Sequence, residues 1–123
     1  MDRPTILLVD DDAVLVEALR AVLEQHYNVR TAYSGEEAVA SVAQQLPDLI
    51  ILDVMMSYIS EGYDLAAMFR KGERTAHIPI VILTGGDRMF ETRSRLEQSW
   101  VEVESFLTKP PDFANLHETI ESV

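Results

Sequence analysis

Short continuous apolar runs, rather than an alternation of apolar and polar residues, dominate the hydrophobic pattern of this chain. Three runs occupy residues 6–9, 49–52 and 80–83, a fourth stretch covers 106–108, and a shorter one lies around 28–31. Continuous runs of this length are typical of strands in a parallel sheet whose two faces are both covered by helices. The pattern therefore predicts five strands of one parallel sheet.

Helical periodicity fills the segments between the first three strands. The first helix is predicted over 13–25, with Asp12 as its N-cap. The second opens at Ser34 and Glu37, which stand at capping-box spacing, and it ends before Pro47.

Three more helices complete the pattern, over 62–71, over 87–98 and from Asp112 onward, and the one over 87–98 has a poor apolar stripe. The residues predicted to face the sheet are Val14, Leu15, Ala18, Leu19, Val22, Leu23, Ala38, Val39, Val42, Leu46, Leu65, Met68, Phe69, Phe113, Leu116 and Ile120. Five strand–helix repeats with right-handed crossovers predict an α/β fold, a three-layer α/β/α sandwich that takes residues 1–123 as one domain.

Residues that can handle a phosphoryl group follow four of the predicted strands. Asp10 and Asp11 follow the first run, Asp53 follows the second, Thr84 the third and Lys109 the fourth. Because the carboxyl ends of parallel strands share one edge of a sheet, these side chains are expected to converge. Carboxylates bind Mg²⁺, whereas Lys and Thr contact phosphate oxygens. The sequence therefore predicts a site for a divalent cation and a phosphoryl group.

Charge and composition narrow the classes of partner. Acidic residues outnumber basic ones by 21 to 10, and the net charge of −11 opposes binding to nucleic acid or to an anionic membrane. A protein partner is expected instead. The chain has no cysteine, no apolar stretch near the length of a membrane span and no apolar segment of a signal peptide at its start, so a cytoplasmic location is expected.

Four motifs resemble the receiver domain of two-component response regulators. They are ILLVDDD at 6–12, PDLIILDVMM at 47–56, PIVILTG at 79–85 and FLTKP at 106–110. Together they occur in the family's order and extend over nearly the whole chain. The resemblance implies a flavodoxin-like fold with strand order 2-1-3-4-5 and a phosphorylation-activated signalling function rather than an enzyme.

The resemblance also implies the chemistry at the predicted site. Asp53 is the implied phosphoacceptor, which takes a phosphoryl group from a phosphohistidine on a sensor histidine kinase or histidine phosphotransfer protein. Asp11, Asp53 and the main-chain carbonyl of Met55 are the implied ligands of Mg²⁺, and Asp10 supports the metal partly through water.

The remaining implied roles concern the phosphoryl oxygens and the response to them. Thr84 and Lys109 are implied to hold these oxygens, and Lys109–Pro110 resembles the family's cis peptide. Thr84 and Phe106 are the implied pair of a two-state switch. The alternative for Phe106 is an ordinary half-buried strand residue.

Two segments depart from the family pattern. The loop over 57–62 lacks the usual proline and is one residue longer, and Ser99-Trp100-Val101-Glu102 replaces a usual Gly-Ala. Trp100 is expected to be packed, because large aromatic residues near helix ends usually are. The alternative is an exposed anchor for a partner.

Two other functions remain open at this point. A haloacid-dehalogenase-like phosphatase would use Asp10 as nucleophile and Asp12 as acid/base, but this leaves Asp53 unexplained. That family also needs acidic metal ligands after its lysine, and the acidic residues that follow Lys109, namely Asp112, Glu118 and Glu121, all lie on a predicted helix. A degenerate receiver could serve as a phosphorylation-independent binding module, as the altered loop suggests. The intact acidic, Thr and Lys positions argue against it. The sequence leaves the cognate kinase, the output and the oligomeric state open.

Overall fold

Five parallel strands alternate with five helices along the chain. The computed structural model describes residues 3–54, 61–109, 111 and 113–123. The strands are β1 (Thr5–Val9), β2 (Asn28–Ala32), β3 (Leu49–Asp53), β4 (Ile80–Gly85) and β5 (Ser105–Lys109). The α-helices are α1 (Ala13–Leu23), α2 (Gly35–Gln44), α3 (Glu61–Lys71), α4 (Met89–Gln98) and α5 (Phe113–Ser122), and a turn of 3₁₀-helix (Gly86–Arg88) precedes α4.

The sheet has the order β2-β1-β3-β4-β5, and all neighbouring pairs are parallel. The predicted fold class and strand order are therefore confirmed. In this order β1 and β3 lie side by side in the middle, so the residues that follow them meet at one edge of the sheet. The register pairs Asp53 with Leu83 and Gly85 with Lys109, which brings the ends of β3, β4 and β5 to the same edge.

Two apolar layers pack on the two faces of the sheet. Ile50 of β3 belongs to the layer that contains Phe69 of α3 and Leu96 of α4, whereas the next residue, Ile51, belongs to the layer that contains Leu116 of α5. This alternation follows from the two-residue period of a strand. Each buried aliphatic side chain contributes roughly 1.5–3 kcal/mol, so both faces hold the strand ends in place.

Helix caps match the prediction closely. The Asp12 carboxylate accepts hydrogen bonds from the backbone N–H groups of Val14 and Leu15, at 3.1 and 3.2 Å. The Ser34 hydroxyl accepts from the Glu37 N–H at 3.2 Å, and the Glu37 carboxylate accepts from the N–H of Tyr33, one residue before the cap. These side chains satisfy N–H groups that a helix start leaves without an intrahelical partner.

The predicted inward faces need correction. The sheet-facing stripe of α1 is Val16, Leu19 and Leu23, while Val14 is 83% exposed and Ala18 is also exposed. Each of these two lies two residues from Val16, which at roughly 100° per residue is the far side of the helix. Three further predicted inward residues are also exposed, namely Val39, Leu46 and Met68. The side chain of Phe113 lies outside the described residues.

The end of α4 also differs from the prediction, because Trp100 is 91% exposed rather than packed. Its φ of 59° is in the left-handed region. The Trp100 N–H donates to the Glu97 carbonyl at 3.2 Å, and the Val101 N–H donates to the Leu96 carbonyl at 3.0 Å. This is the Schellman pattern that ends a helix, with tryptophan at the position that usually carries glycine. Among the described helices, none is long and apolar enough to cross a membrane.

We predict that Trp100→Gly raises the free energy of unfolding by about 1 kcal/mol, since glycine adopts the left-handed conformation without the steric cost of a Cβ. The exposed indole contributes little burial that could offset this gain. Trp100→Ala is the matched control, because alanine loses the indole but keeps the Cβ. Urea unfolding of the three proteins measures the effect, and equal gains for Gly and Ala would show that the backbone conformation is not the cause.

Candidate functional site

The candidate site lies where β1, β3, β4 and β5 end. Asp10 directly follows β1, and its N–H donates to the Ala32 carbonyl at 3.1 Å. Asp53 is the last residue of β3, Thr84 lies near the end of β4 and Lys109 is the last residue of β5. Asp10, Asp53 and Thr84 are fully buried, while the Lys109 side chain is 26% exposed.

Lys109 bridges the two buried carboxylates. Its Nζ atom lies 3.0 Å from Asp53 Oδ2 and 3.1 Å from Asp10 Oδ2. The other oxygen of Asp10 accepts a hydrogen bond from the Asp12 N–H at 3.0 Å. One ammonium group therefore faces two carboxylates in a buried setting, and Asp11 adds a third, exposed carboxylate beside them.

The pKa values of Asp10 and Lys109 are both raised. Burial raises the pKa of Asp10 from 3.8 to about 6, and the negative charge of Asp53 adds to the rise, while the Asp12 N–H and Lys109 oppose it. Burial by itself lowers the pKa of Lys109, but the charges of Asp53 and Asp10 outweigh it and the pKa is raised. Lys109 is thus held in its charged form, and the acidic cluster retains an affinity for additional positive charge.

The acidic cluster has the composition of a site for a hard cation. Asp10, Asp11 and Asp53 each offer a carboxylate oxygen, and these atoms lie within 4.8 Å of one another. Mg²⁺ binds through a small number of carboxylates while it keeps several waters, and exposed Asp11 leaves one side open to solvent. The donor set fits this ion. Met55 and Pro110, which the predicted metal site and cis peptide involve, lie outside the described residues.

Gly62 of α3 lies directly against the backbone that carries Asp53. A Cβ at position 62 would come within 2.3 Å of Val54 Cα and 2.5 Å of the Asp53 carbonyl oxygen. Only glycine permits this approach, so the start of α3 supports the end of β3. Sequence reasoning placed Gly62 at a helix start but missed this contact, because spacing along the chain does not report distances between a helix and a strand.

The hydroxyl of Thr84 is hydrogen-bonded to a second buried hydroxyl. Thr84 Oγ1 lies 3.0 Å from Thr92 Oγ1, and the Tyr63 hydroxyl donates to Thr92 Oγ1 at 3.3 Å. Thr92 and Leu96 are the buried residues of α4. One indication of the role of Thr92 was available from the sequence, namely the poor apolar stripe over 87–98. The stripe is poor because Thr92, a polar residue, occupies a buried position of this helix.

Phe106 lies on β5 beside the site and is half-buried, with the Arg93 guanidinium 4.3 Å from the centre of its ring. The Arg95 guanidinium lies 4.2 Å from the centre of the Tyr63 ring in the same region. Each such cation–π contact contributes roughly 0.5–1 kcal/mol where it is exposed. Charged residues of α4 therefore lie against the rings of Phe106 and Tyr63.

Comparisons with known proteins agree with this geometry. The family model of the response regulator receiver domain matches residues 6–121. The response regulator PleD of Caulobacter vibrioides is 37% identical over 119 residues, which cover 96% of this chain and 25% of PleD. Protein PilH of Pseudomonas aeruginosa is 32% identical over 119 residues, which cover 96% of this chain and 95% of PilH.

The solved structures show the same fold. A crystal structure from Chloroflexus aurantiacus that is described as a response regulator superposes with a TM-score of 0.88 at 33% identity, covering 98% of this chain and 97% of that one. The chain belongs to the response regulator receiver domain family of two-component systems. It spans about a quarter of the length of PleD and nearly the whole length of PilH.

The position of Asp12 argues against the phosphatase alternative. That interpretation requires Asp12 as the acid/base beside Asp10, but its carboxylate is exposed and is occupied by the N–H groups that open α1. Asp53, which the phosphatase left without a role, is instead buried beside Lys109 at the centre of the acidic cluster.

The raised pKa of Asp10 predicts how stability depends on pH in the metal-free protein. Between pH of about 4 and about 6, the Asp10 carboxyl is protonated to a greater extent in the native state than in the unfolded state, so its contribution to the free energy of unfolding falls as pH rises. Asp10→Asn cannot ionise but can still accept from the Asp12 N–H. We expect the unmodified protein to lose stability relative to this variant across that window, with no further relative change above about pH 7.

Urea unfolding in the presence of a chelator, at a series of pH values, measures this difference. Asp64→Asn, which removes an exposed carboxylate from α3, is the control. A difference between the unmodified protein and Asp10→Asn that is flat from pH 4 to 7, or that moves the other way, would contradict the assignment.

Proposed function

We propose that residues 1–123 form a receiver domain in which Asp53 accepts a phosphoryl group with the aid of Mg²⁺, and that phosphorylation changes the surface presented to a partner. The observation that carries the proposal is the setting of Asp53. Its buried carboxylate lies 3.0 Å from Lys109 and shares an acidic cluster with Asp10 and Asp11. Nucleophile, cation site and ammonium group are therefore in one place.

The proposed phosphodonor is a phosphohistidine on a sensor histidine kinase or a histidine phosphotransfer protein. An oxygen of Asp53 attacks the phosphorus, the phosphorus–nitrogen bond breaks as the phosphorus–oxygen bond forms, and the imidazole leaves. An ionised carboxylate needs no general base for this step. The chain thus takes part in one transfer to its own side chain and has no separate substrate, which is why we do not regard it as an enzyme.

Asp10 is proposed to support the cation, partly through water, rather than to accept the phosphoryl group. One of its oxygens already accepts a hydrogen bond from the Asp12 N–H, and the other lies 3.1 Å from the Lys109 ammonium group.

Phosphoryl transfer depends mainly on positioning and on neutralising the charge of the phosphoryl oxygens. Bound Mg²⁺ supplies part of that neutralisation, and its proposed ligands are Asp11, Asp53 and the Met55 main-chain carbonyl. Lys109 and the Thr84 hydroxyl are proposed to contact the phosphoryl oxygens. The phosphoryl group carries roughly 1.5–2 negative charges and would compete with Asp10 for the Lys109 ammonium group.

Thr84 and Phe106 are proposed to transmit this change to the surface. Thr84 lies on β4 next to the acceptor strand, and Phe106 lies on β5 with a charged residue of α4 over its ring. The net charge of −11 favours a protein partner over nucleic acid or an anionic membrane, and we place the protein in the cytoplasm. The identity of the kinase and of the output partner is not proposed.

We predict that Asp53→Asn abolishes phosphorylation and leaves the fold intact, because the amide keeps the size of the side chain but lacks the nucleophilic charge. Intact-mass analysis after incubation with a small-molecule phosphodonor and Mg²⁺ measures the product, and peptide mapping locates it. Asp64→Asn on the exposed face of α3 should be phosphorylated like the unmodified protein. A phosphoryl group mapped to Asp10, or retained in Asp53→Asn, would sink the assignment of Asp53.

We predict that Asp11→Asn weakens Mg²⁺ binding at least about tenfold, since the change of even an indirect metal contact costs that much and Asp11 is proposed to be a direct ligand. Asp11 is exposed, so the variant should keep its stability. Isothermal titration with Mg²⁺ measures the affinity, again with Asp64→Asn as control. Equal affinities for Asp11→Asn and the unmodified protein, or phosphorylation at the same rate in chelator, would refute the metal part of the mechanism.

A further inference from the structure

Three hydroxyl groups form a hydrogen-bonded line that runs from α3 through α4 to β4. The Tyr63 hydroxyl donates to Thr92 Oγ1 at 3.3 Å, and Thr92 Oγ1 lies 3.0 Å from Thr84 Oγ1. Thr84 and Thr92 are fully buried, and Tyr63 is half-buried. The line therefore ends at the hydroxyl that the proposed function assigns to the phosphoryl oxygens.

The hydrogen bond between Thr84 and Thr92 can run in either direction, since each hydroxyl has one proton to donate and can also accept at its oxygen. If Thr92 donates to Thr84 Oγ1, the Thr84 proton is available to a third group. The opposite direction would spend the Thr84 proton on Thr92 and leave Thr84 unable to donate to a phosphoryl oxygen.

We propose that Thr92, supported by Tyr63, is a positioning residue that orients the Thr84 hydroxyl as a hydrogen-bond donor toward the phosphoryl group on Asp53. This inference rests on the proposed function, because it presupposes phosphorylation of Asp53. Successive hydrogen bonds in a buried chain polarise one another, so donation from Tyr63 and Thr92 makes the Thr84 proton a stronger donor. The bond between Thr92 and Thr84 also restricts the orientation of the Thr84 side chain.

The placement of Thr84 suits this role. Asp53 pairs with Leu83 in the register of β3 and β4, so Thr84 is one residue beyond the position beside Asp53. Neighbouring strands lie about 4.8 Å apart, so Thr84 and Asp53 lie near the adjacent ends of β4 and β3 at the same edge of the sheet. Thr92 contacts Thr84 from the helix side, so its hydroxyl acts on Asp53 through Thr84 and not directly.

The test compares variants that lack one hydroxyl each, using a small-molecule phosphodonor with Mg²⁺ and the rate of Asp53 phosphorylation followed by mass. Thr92→Val keeps the shape of the side chain and should slow phosphorylation about threefold to tenfold, the range expected for one lost hydrogen bond. Thr92→Ser restores the hydroxyl and should recover the rate. Tyr63→Phe should slow the reaction in the same direction.

The decisive comparison is the phosphorylation rate measured in a variant that lacks the Thr84 hydroxyl. In Thr84→Val, neither Thr92→Val nor Tyr63→Phe should slow the reaction further, because their effect passes through Thr84. An equal loss in both backgrounds would overturn the inference and show a general effect on packing. If Thr92→Val does not fold, the same comparison with Tyr63→Phe decides the question.

Failure of the proposed function and failure of the role of Thr92 give different results. Absence of any phosphoryl group on Asp53 in the unmodified protein would reject the proposed function and this inference together. Normal phosphorylation of the unmodified protein, with a rate unchanged by Thr92→Val and by Tyr63→Phe, would reject the role of Thr92 and leave the proposed function standing.

Discussion

The arrangement of the site depends on one ammonium group that serves two buried carboxylates. Lys109 lies 3.0 Å from Asp53 and 3.1 Å from Asp10, and neither carboxylate is accessible to solvent. Buried charges are costly unless they are paired, and here two buried carboxylates lie against the same ammonium group. Burial raises the pKa of Asp10 to about 6, and the negative charge of Asp53 adds to the rise. A divalent cation bound at this cluster would supply further positive charge, and a phosphoryl group would add negative charge beside Lys109.

The rest of the fold keeps these groups at one edge of the sheet. Apolar layers on both faces fix β3 and β4, and Gly62 lets α3 approach the backbone at Asp53 within a distance that no other residue allows. Thr92 of α4 holds the hydroxyl of Thr84 at 3.0 Å. The site is therefore bounded by α3 and α4 as well as by the strands, with α3 in contact with the backbone of Asp53 and α4 in contact with Thr84.

Much of this could be predicted from the sequence, because strand ends in a parallel sheet follow from short apolar runs and the acidic, Thr and Lys residues directly follow those runs. The contacts between the helices and the sheet could not be predicted from the sequence. Whether Val14 or Val16 faces the sheet depends on how α1 is rotated, which a wide apolar stripe leaves undecided. Trp100 is exposed because the backbone of the helix end, rather than the burial of an aromatic ring, sets its position. The hydroxyl line and Gly62 involve distances between elements that are far apart in sequence.

The most direct test of the central claim is the stability of Lys109→Met at neutral pH, measured by urea unfolding in chelator and in Mg²⁺. If the ammonium group balances two buried carboxylates, its loss should lower the free energy of unfolding in chelator by roughly 3–5 kcal/mol. Mg²⁺ should then stabilise the variant more than it stabilises the unmodified protein, since it supplies the missing positive charge. A variant that is as stable as the unmodified protein in chelator would contradict the account.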